Sequence, residues 1–336
     1  MTHPHFLCTG LIRRRQILAA GVGSTLMASS LGAQAQGNFP SQPIKIVVPY
    51  SAGTGSDALA RTVAQGITDK TGKVVVVENR DGGGSLIGTM AVAKAAPDGY
   101  TLLIAANPMA IVPAGQSQPQ YHPVSDFVPV AKVGVIPLVL VTTKSLGFKS
   151  VGDLIAYAKA NPGKLSYGSS GSGTISQQEM ELFKQAVGID IPEIPYKSTA
   201  QAMTDLIGGT LSVFPVVVPL VAQHIQSGRV SALAVFDSRR SQLLPDLPAI
   251  SEQVSVPGYV PTPVWYGFVA PRGTPSQVIS VLSDMINASM DTPYAKTRLA
   301  ALGAQRITVS NEQFLADLKA EYEKAGVLAK KLGTYK

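Results

Sequence analysis

Short runs rich in β-branched residues alternate along this chain with stretches of helical period. That alternation constrains the fold more than any other feature. IKIVV (44–48) precedes SDALARTVAQGITDKTG, where Leu59, Val63 and Ile67 recur at helical spacing and Gly72 supplies the stop. KVVVVENR reads as a second, buried strand over 74–78. Residues 85–95 read as a helix, PDG turns the chain, and TLLIAAN is a third strand ending at Asn107. Strand, helix, strand, helix, strand is the start of a parallel sheet with helices on its faces.

The pattern then recurs with different residues. PLVLVTT is a strand, and SVGDLIAYAKANPG is a helix with Ser150 as N-cap, Asp153 at N3 and a Pro-Gly stop. LSYGSSGSGTISQQEMELFKQAVG reads as strand, Gly/Ser loop and helix, and IPEIPYKSTAQAMTDLIGG repeats this with a shorter loop. TLSVFPVVV, VSALAVF and WYGFVAP are further strands, and three helical patterns close the chain. Two similar α/β halves imply two lobes with a cleft between them. We expect residues 38–142 with 264–336 in one lobe and 143–263 in the other. Hinges are expected near Thr142 to Lys144 and near Pro261 to Tyr266.

The N-terminus reads as an export signal over residues 1–35. A basic IRRRQ precedes an apolar stretch ending at Leu31, and Ala33-Gln34-Ala35 forms a small-x-small cleavage site. The arginine run leaves the Sec and twin-arginine routes both open. This leader accounts for much of the charge. The full chain of 336 residues carries +7, but outside the first 35 residues 25 basic residues face 21 acidic ones. The excess forms no cluster interleaved with aromatics, so no nucleic-acid partner is expected. The single cysteine, Cys8, lies in the leader. The remainder therefore has no disulfide, thiol nucleophile or cysteine metal site. No later segment has the uninterrupted apolar length of a membrane span.

Ligands of open α/β sheets bind at the carboxyl ends of strands. Two loops fit that rule. The first runs Tyr50, Ser51, Ala52, Gly53, Thr54, Gly55, Ser56, Asp57; the second runs Ser169, Ser170, Gly171, Ser172, Gly173, Thr174. Small residues between a strand and a helix leave backbone N–H groups exposed at the positive end of the helix dipole, which suits an anion. The serines and threonines, Ser176 included, add hydroxyl donors, and Asp57 reads as a helix cap. Ordinary turn chemistry would use the same residues. Asn107 is a further ligand-binding candidate.

Enzyme chemistry finds little support. Outside the leader there are two histidines, His122 and His224, and His224 lies in a helical stretch. Neither loop matches G-x-S-x-G, and there is no Walker A loop or H-E-x-x-H. A dinucleotide site would need a third glycine where Ala58 stands. Trp265 and Tyr266 are candidates either for the cleft wall or for core and hinge packing.

Taken together, IKIVVPYSAGTGSDALAR, VVVENRDGGGSLIGTMAVAKAAPDGYTLL, NPGKLSYGSSGSGT, IPYKSTAQAMTDLIGG and ALAVFDSRRSQLLPDLPAISE resemble the tripartite tricarboxylate transporter substrate-binding proteins, the Bug-type periplasmic receptors. The resemblance covers nearly the whole chain after the leader. It implies an α/β fold of two lobes, a type II-like Venus flytrap, each lobe a sheet flanked by helices. It also implies a carboxylate held largely by backbone amides and ordered water, with no cofactor and no metal. The loop from Tyr50 matches the family's first ligand loop, and 169–174 matches the second. Tyr196-Lys197-Ser198-Thr199 matches the segment often written PYKG. Three departures bear on ligand identity: Ser198 and Thr54 replace usual glycines, and Pro215-Val216 lies where relatives often carry an acid.

These readings lead to a monomeric periplasmic solute-binding protein that performs no chemistry. It would capture an organic carboxylate, expected to be an aromatic dicarboxylate such as terephthalate, for the membrane subunits of a tripartite transporter. Aliphatic di- and tricarboxylates stay open. So do a receptor signalling to a membrane sensor kinase and a hydrolase using a loop serine.

Overall fold

The computed structural model describes residues 39–169, 171, 174–196, 198–255 and 259–333. The chain divides into two units, residues 1–41 and 42–336. In the first, only residues 39–41 are described; the leader, including Cys8 and the expected cleavage site, lies outside the described residues. Everything below concerns the second unit.

Its elements run β1 (Ile44–Val48), α1 (Gly55–Thr71), β2 (Val75–Asn79), α2 (Leu86–Ala93), β3 (Thr101–Ala106), α3 (Pro108–Ala114), β4 (Phe127–Ile136), β5 (Leu138–Thr143) and α4 (Val151–Ala160). Then come β6 (Tyr167–Ser169), α5 (Ile175–Val187), β7 (Glu193–Pro195), α6 (Thr199–Gly208), β8 (Val213–Val217), α7 (Val218–Gln226) and β9 (Val230–Phe236). The chain closes with α8 (Ile250–Gln253), β10 (Val264–Pro271), α9 (Ser276–Met290), α10 (Pro293–Ala301), β11 (Gln305–Arg306) and α11 (Asn311–Lys331).

The strands form two sheets. One has the order β11-β4-β10-β3-β1-β2, the other β7-β6-β8-β5-β9. The expected parallel start is present, because β1 pairs in parallel with β2 and with β3. The return strand β10 then inserts antiparallel between β3 and β4. Helices flank both sheets, giving two α/β lobes. The chain passes from the first sheet to the second at Pro137 and returns between α8, which still packs on the second lobe, and β10.

Several local readings differ from what the structure shows. The sequence places residues 138–142 with the first lobe, whereas β5 pairs with β8 and β9 in the second sheet. The outward crossing is therefore at Pro137 and not at Thr142–Lys144. The valine run of β2 is an edge strand, with Val74 and Val76 about half exposed, because it pairs with β1 alone. The N-cap of α1 is Thr54, whose hydroxyl accepts the N–H of Asp57. The capping box at Ser150 and Asp153 forms as read.

The cores sit on both faces of each sheet. In the first lobe, Val47, Leu103, Trp265, Val269 and Phe314 pack together. A Cβ added to Gly267 on β10 would stand 2.5 Å from Phe314 Cζ, so glycine there lets α11 lie directly on the strand. In the second lobe, Tyr167, Phe183 and Phe236 fill one face; Val141, Leu206 and Phe214 fill the other.

Candidate functional site

A cleft of about 410 Å³ lies between the two sheets, inside the range of roughly 300–1,000 Å³ usual for small-molecule sites. Its walls are the carboxyl ends of strands and the first turns of the helices that follow. Tyr50, Thr54, Gly55 and Ser56 come from the β1–α1 junction, and Ala106, Asn107 and Pro108 from the β3–α3 junction. Thr174, Ile175 and Ser176 open α5, Thr199 opens α6, and Phe214 to Val217 with Leu220 lead into α7. Leu138, Val264 and Tyr266 come from the strands beside the crossings.

Four helices of nine or more residues, α1, α5, α6 and α7, thus present their N-termini to one space. At α5, α6 and α7 no side chain caps the N-terminus. Among the described residues, the lining includes no Asp, Glu, Lys, Arg or His. Partial positive charge at the helix ends is the main polar provision, and the rest of the wall is apolar.

Of the twenty candidates in the two loops, at Asn107, at 197–199 and at 215–216, nine line this cleft: Tyr50, Thr54, Gly55, Ser56, Asn107, Thr174, Thr199, Pro215 and Val216; Ser176 and Tyr266, also named from the sequence, line it too. Ser170, Ser172, Gly173 and Lys197 lie outside the described residues. The other seven are placed elsewhere. The hydroxyl of Ser51 donates to Asp81. Ala52 is exposed, and Gly53, at φ 85°, donates its N–H to Asp57 Oδ2 at 3.0 Å. Asp57 also accepts from Arg61 and Asn79, and these donors hold its carboxyl below the usual range despite its burial. Its charge is spent bracing the loop. Ser169 is fully buried, donating to Glu193 and accepting from Gly171 N–H. Ser198 is the N-cap of α6 but makes no side-chain cap bond.

Asn107 lines the cleft, yet its side chain is occupied. Nδ2 donates to Glu321 Oε1 at 2.7 Å and to Pro263 O at 3.2 Å, and Oδ1 accepts the Trp265 N–H at 3.1 Å. Trp265 is buried in the core, with its indole N–H donating to Glu321 Oε2 at 2.6 Å. Tyr266, one residue on, faces the cleft, as alternation along a strand requires. Sequence reasoning missed Ala106, Pro108, Leu138, Ile175, Leu220 and Val264. Extending the strand-end rule to β3 and to α7 would have found Ala106, Pro108 and Leu220, and Ile175 directly follows the second loop; Leu138 and Val264 depend on where the chain crosses between sheets.

The profile of the tripartite tricarboxylate transporter family receptor, TctC, matches residues 59–334. The chain belongs to the TctC family. Protein BugT of Bordetella pertussis is 36% identical over 306 residues, covering 90% of this chain and 91% of BugT. Among solved structures, the periplasmic binding protein BugD is 33% identical with a TM-score of 0.70, covering 88% of this chain and 99% of its own. R. palustris Rpa4515 with adipate is 33% identical with a TM-score of 0.71, at 87% and 99% coverage. MatC from Rhodopseudomonas palustris with bound malate is 26% identical with a TM-score of 0.69, at 87% and 100% coverage. TctC proteins are periplasmic binding proteins, and their fold and family are those of substrate-binding proteins rather than enzymes. Among the described residues of this TctC receptor, no helix is long and apolar enough to cross a membrane.

Proposed function

We propose that the chain captures an organic carboxylate in the periplasm and delivers it to the membrane subunits of a tripartite transporter. The observation that carries this is the convergence of four helix N-termini on a cleft whose described lining has no charged side chain. Backbone donors suit a carboxylate there, and each helix end adds about 0.3–1 kcal/mol of attraction. An amino acid would bring an ammonium group that needs a buried acceptor, and the described wall offers no carboxylate for it. Adipate on Rpa4515 and malate on MatC support the carboxylate class.

Within that class the reading is a rigid aromatic dicarboxylate such as terephthalate. Phe214, Pro215, Val216 and Val217 give the second lobe an apolar wall, and Leu138 and Val264 extend it. A flat ring between two anion-binding ends would bury apolar area there. The adipate and malate of the relatives favour an aliphatic dicarboxylate as the second reading. Titration calorimetry of the protein with terephthalate, adipate, malate, glutamate and aspartate tests both. Terephthalate is expected to bind most tightly. Preferential adipate or malate binding favours the second reading, and tight glutamate or aspartate binding with no response to terephthalate, adipate or malate overturns both.

A further inference from the structure

The cleft contains a phenol whose position is matched to a glycine. Tyr266 sits on β10, between β3 and β4 in the first sheet. It pairs with Ala106 on one side and Gly134 on the other, next to a bulge. The neighbouring Trp265 is anchored on the opposite face by its indole N–H to Glu321, and its backbone N–H donates to Asn107. The backbone carrying Tyr266 is therefore held on both sides and from behind.

At the tip of the ring, the Tyr266 hydroxyl oxygen stands 2.9 Å from the place a Cβ on Gly55 would take, and Cζ stands 3.5 Å from it. Gly55 is the first residue of α1 and has no left-handed φ. Backbone conformation does not require glycine there; the space taken by the phenol does. The Tyr266 hydroxyl makes no hydrogen bond among the described residues. Burial pushes its phenol up to about 12, so it remains a proton donor at neutral pH. Ser56, 4% exposed and also lining the cleft, has a hydroxyl with no partner among the described residues. The N–H groups of Gly55 and Ser56, at the first two helical positions, have no acceptor within the helix.

We propose that the Tyr266 hydroxyl, the Ser56 hydroxyl and the Gly55 and Ser56 N–H groups form one carboxylate-binding set, in which Tyr266 is a specificity-determining donor and Gly55 is the residue that makes room for it. This assignment rests on the carboxylate reading above. Three kinds of donor meet at one helix end: a phenol from the first lobe's central strands, a serine hydroxyl and the backbone. A phenol on a rigid strand fixes the direction from which the carboxylate is approached, which a flexible Lys or Arg would not do. Discrimination would follow from geometry, with acids whose second oxygen cannot reach the phenol binding more weakly.

The test is a double-mutant cycle read by titration calorimetry, using whichever of terephthalate, adipate and malate the wild type binds most tightly. Tyr266→Phe keeps the ring and removes one hydroxyl. Its affinity is expected to fall about 10- to 100-fold, the range for a hydrogen bond to a charged group, with the melting temperature of the ligand-free protein unchanged. Gly55→Ala is expected to cost at least about tenfold in the wild-type background. In the Tyr266→Phe background it should cost less than about threefold, because the nearest ring atom is then at ordinary contact distance. Tyr266→Phe binding as tightly as wild type overturns the assignment and leaves the carboxylate reading standing. Additive losses show that Gly55 is not matched to the phenol and overturn that half of it. A wild type that binds none of the three probes overturns both readings together.

Discussion

Glu179 on α5 accepts the backbone N–H of Thr262 at 2.8 Å, at the segment where the chain returns from the second sheet to the first. Its other oxygen accepts the Tyr259 hydroxyl at 2.7 Å. From the first lobe, Lys324 on α11 reaches the same segment, donating to Val260 O and Thr262 Oγ1. One turn earlier on α11, Glu321 binds Asn107 and Trp265. The return crossing is thus gripped by a buried carboxylate from each lobe, with one lysine near both. Lys132, the other cation near Glu321, is paired with Asp317.

This grip makes stability depend on pH. Burial pushes both Glu179 and Glu321 up to about 7, against the opposing pull of Lys324. The folded state therefore holds these protons more tightly than the unfolded chain does. The resulting stability is fully present below about pH 4.5 and is lost as pH rises through about 7, a change on the order of a few kcal/mol. Glu252, drawn down to about 2 by Arg240 and the Ala249 N–H, acts in the opposite sense but below that window. Melting temperatures from pH 5 to 8 should fall for wild type and stay flatter for a Glu179→Gln, Glu321→Gln variant. Parallel curves would show that the pair does not titrate there.

Val216 is the place to reverse the cleft's preference. It is buried on β8 and lines the apolar wall. Val216→Asp should weaken dicarboxylate binding at least about 100-fold, through like-charge repulsion at low dielectric. Val216→Thr, with similar shape and no charge, should cost far less. Calorimetry on both variants checks this, and an unaffected Val216→Asp would remove Val216 from the ligand's surroundings.

Gly267 tests the support beneath the site. A methyl group there meets Phe314 Cζ at 2.5 Å and Ala131 O at 3.0 Å. Gly267→Ala should lower stability by about 1–3 kcal/mol. Phe314→Leu in the same protein should recover part of that loss. Urea unfolding midpoints give the answer; full additivity would mean the clash is relieved elsewhere.

The two crossings, at Pro137 and between α8 and β10, are the positions about which the lobes should close. Small-angle scattering with saturating terephthalate or adipate should show a smaller radius of gyration than the free protein. An unchanged radius together with calorimetric binding would describe a rigid receptor.

Much of the site was readable because strand ends and helix starts are local features. IKIVV followed by small residues and then by Leu59, Val63 and Ile67 is enough to put a strand-to-helix junction in this loop, although the cap is Thr54 and not Asp57 as the sequence suggested. The Ser150–Asp153 capping box is likewise complete within four residues. Partners distant in sequence were not readable. Asn107 looks like a ligand donor at the end of β3, but Glu321, 214 residues away, takes its amide. The valines of β2 look like core, and only the strand order shows that nothing pairs on their far side.

The sequence by itself determined the alternation of elements, the loops at which helices begin and the family, because each depends on neighbouring residues or on the whole pattern of motifs. Only the tertiary structure decided which N-termini meet in one cleft, which donors there are still available, and that Gly55 makes room for Tyr266. Those outcomes depend on how two sheets are placed through the crossings at Pro137 and between α8 and β10. Donor availability is settled by the partners that packing brings within about 3 Å.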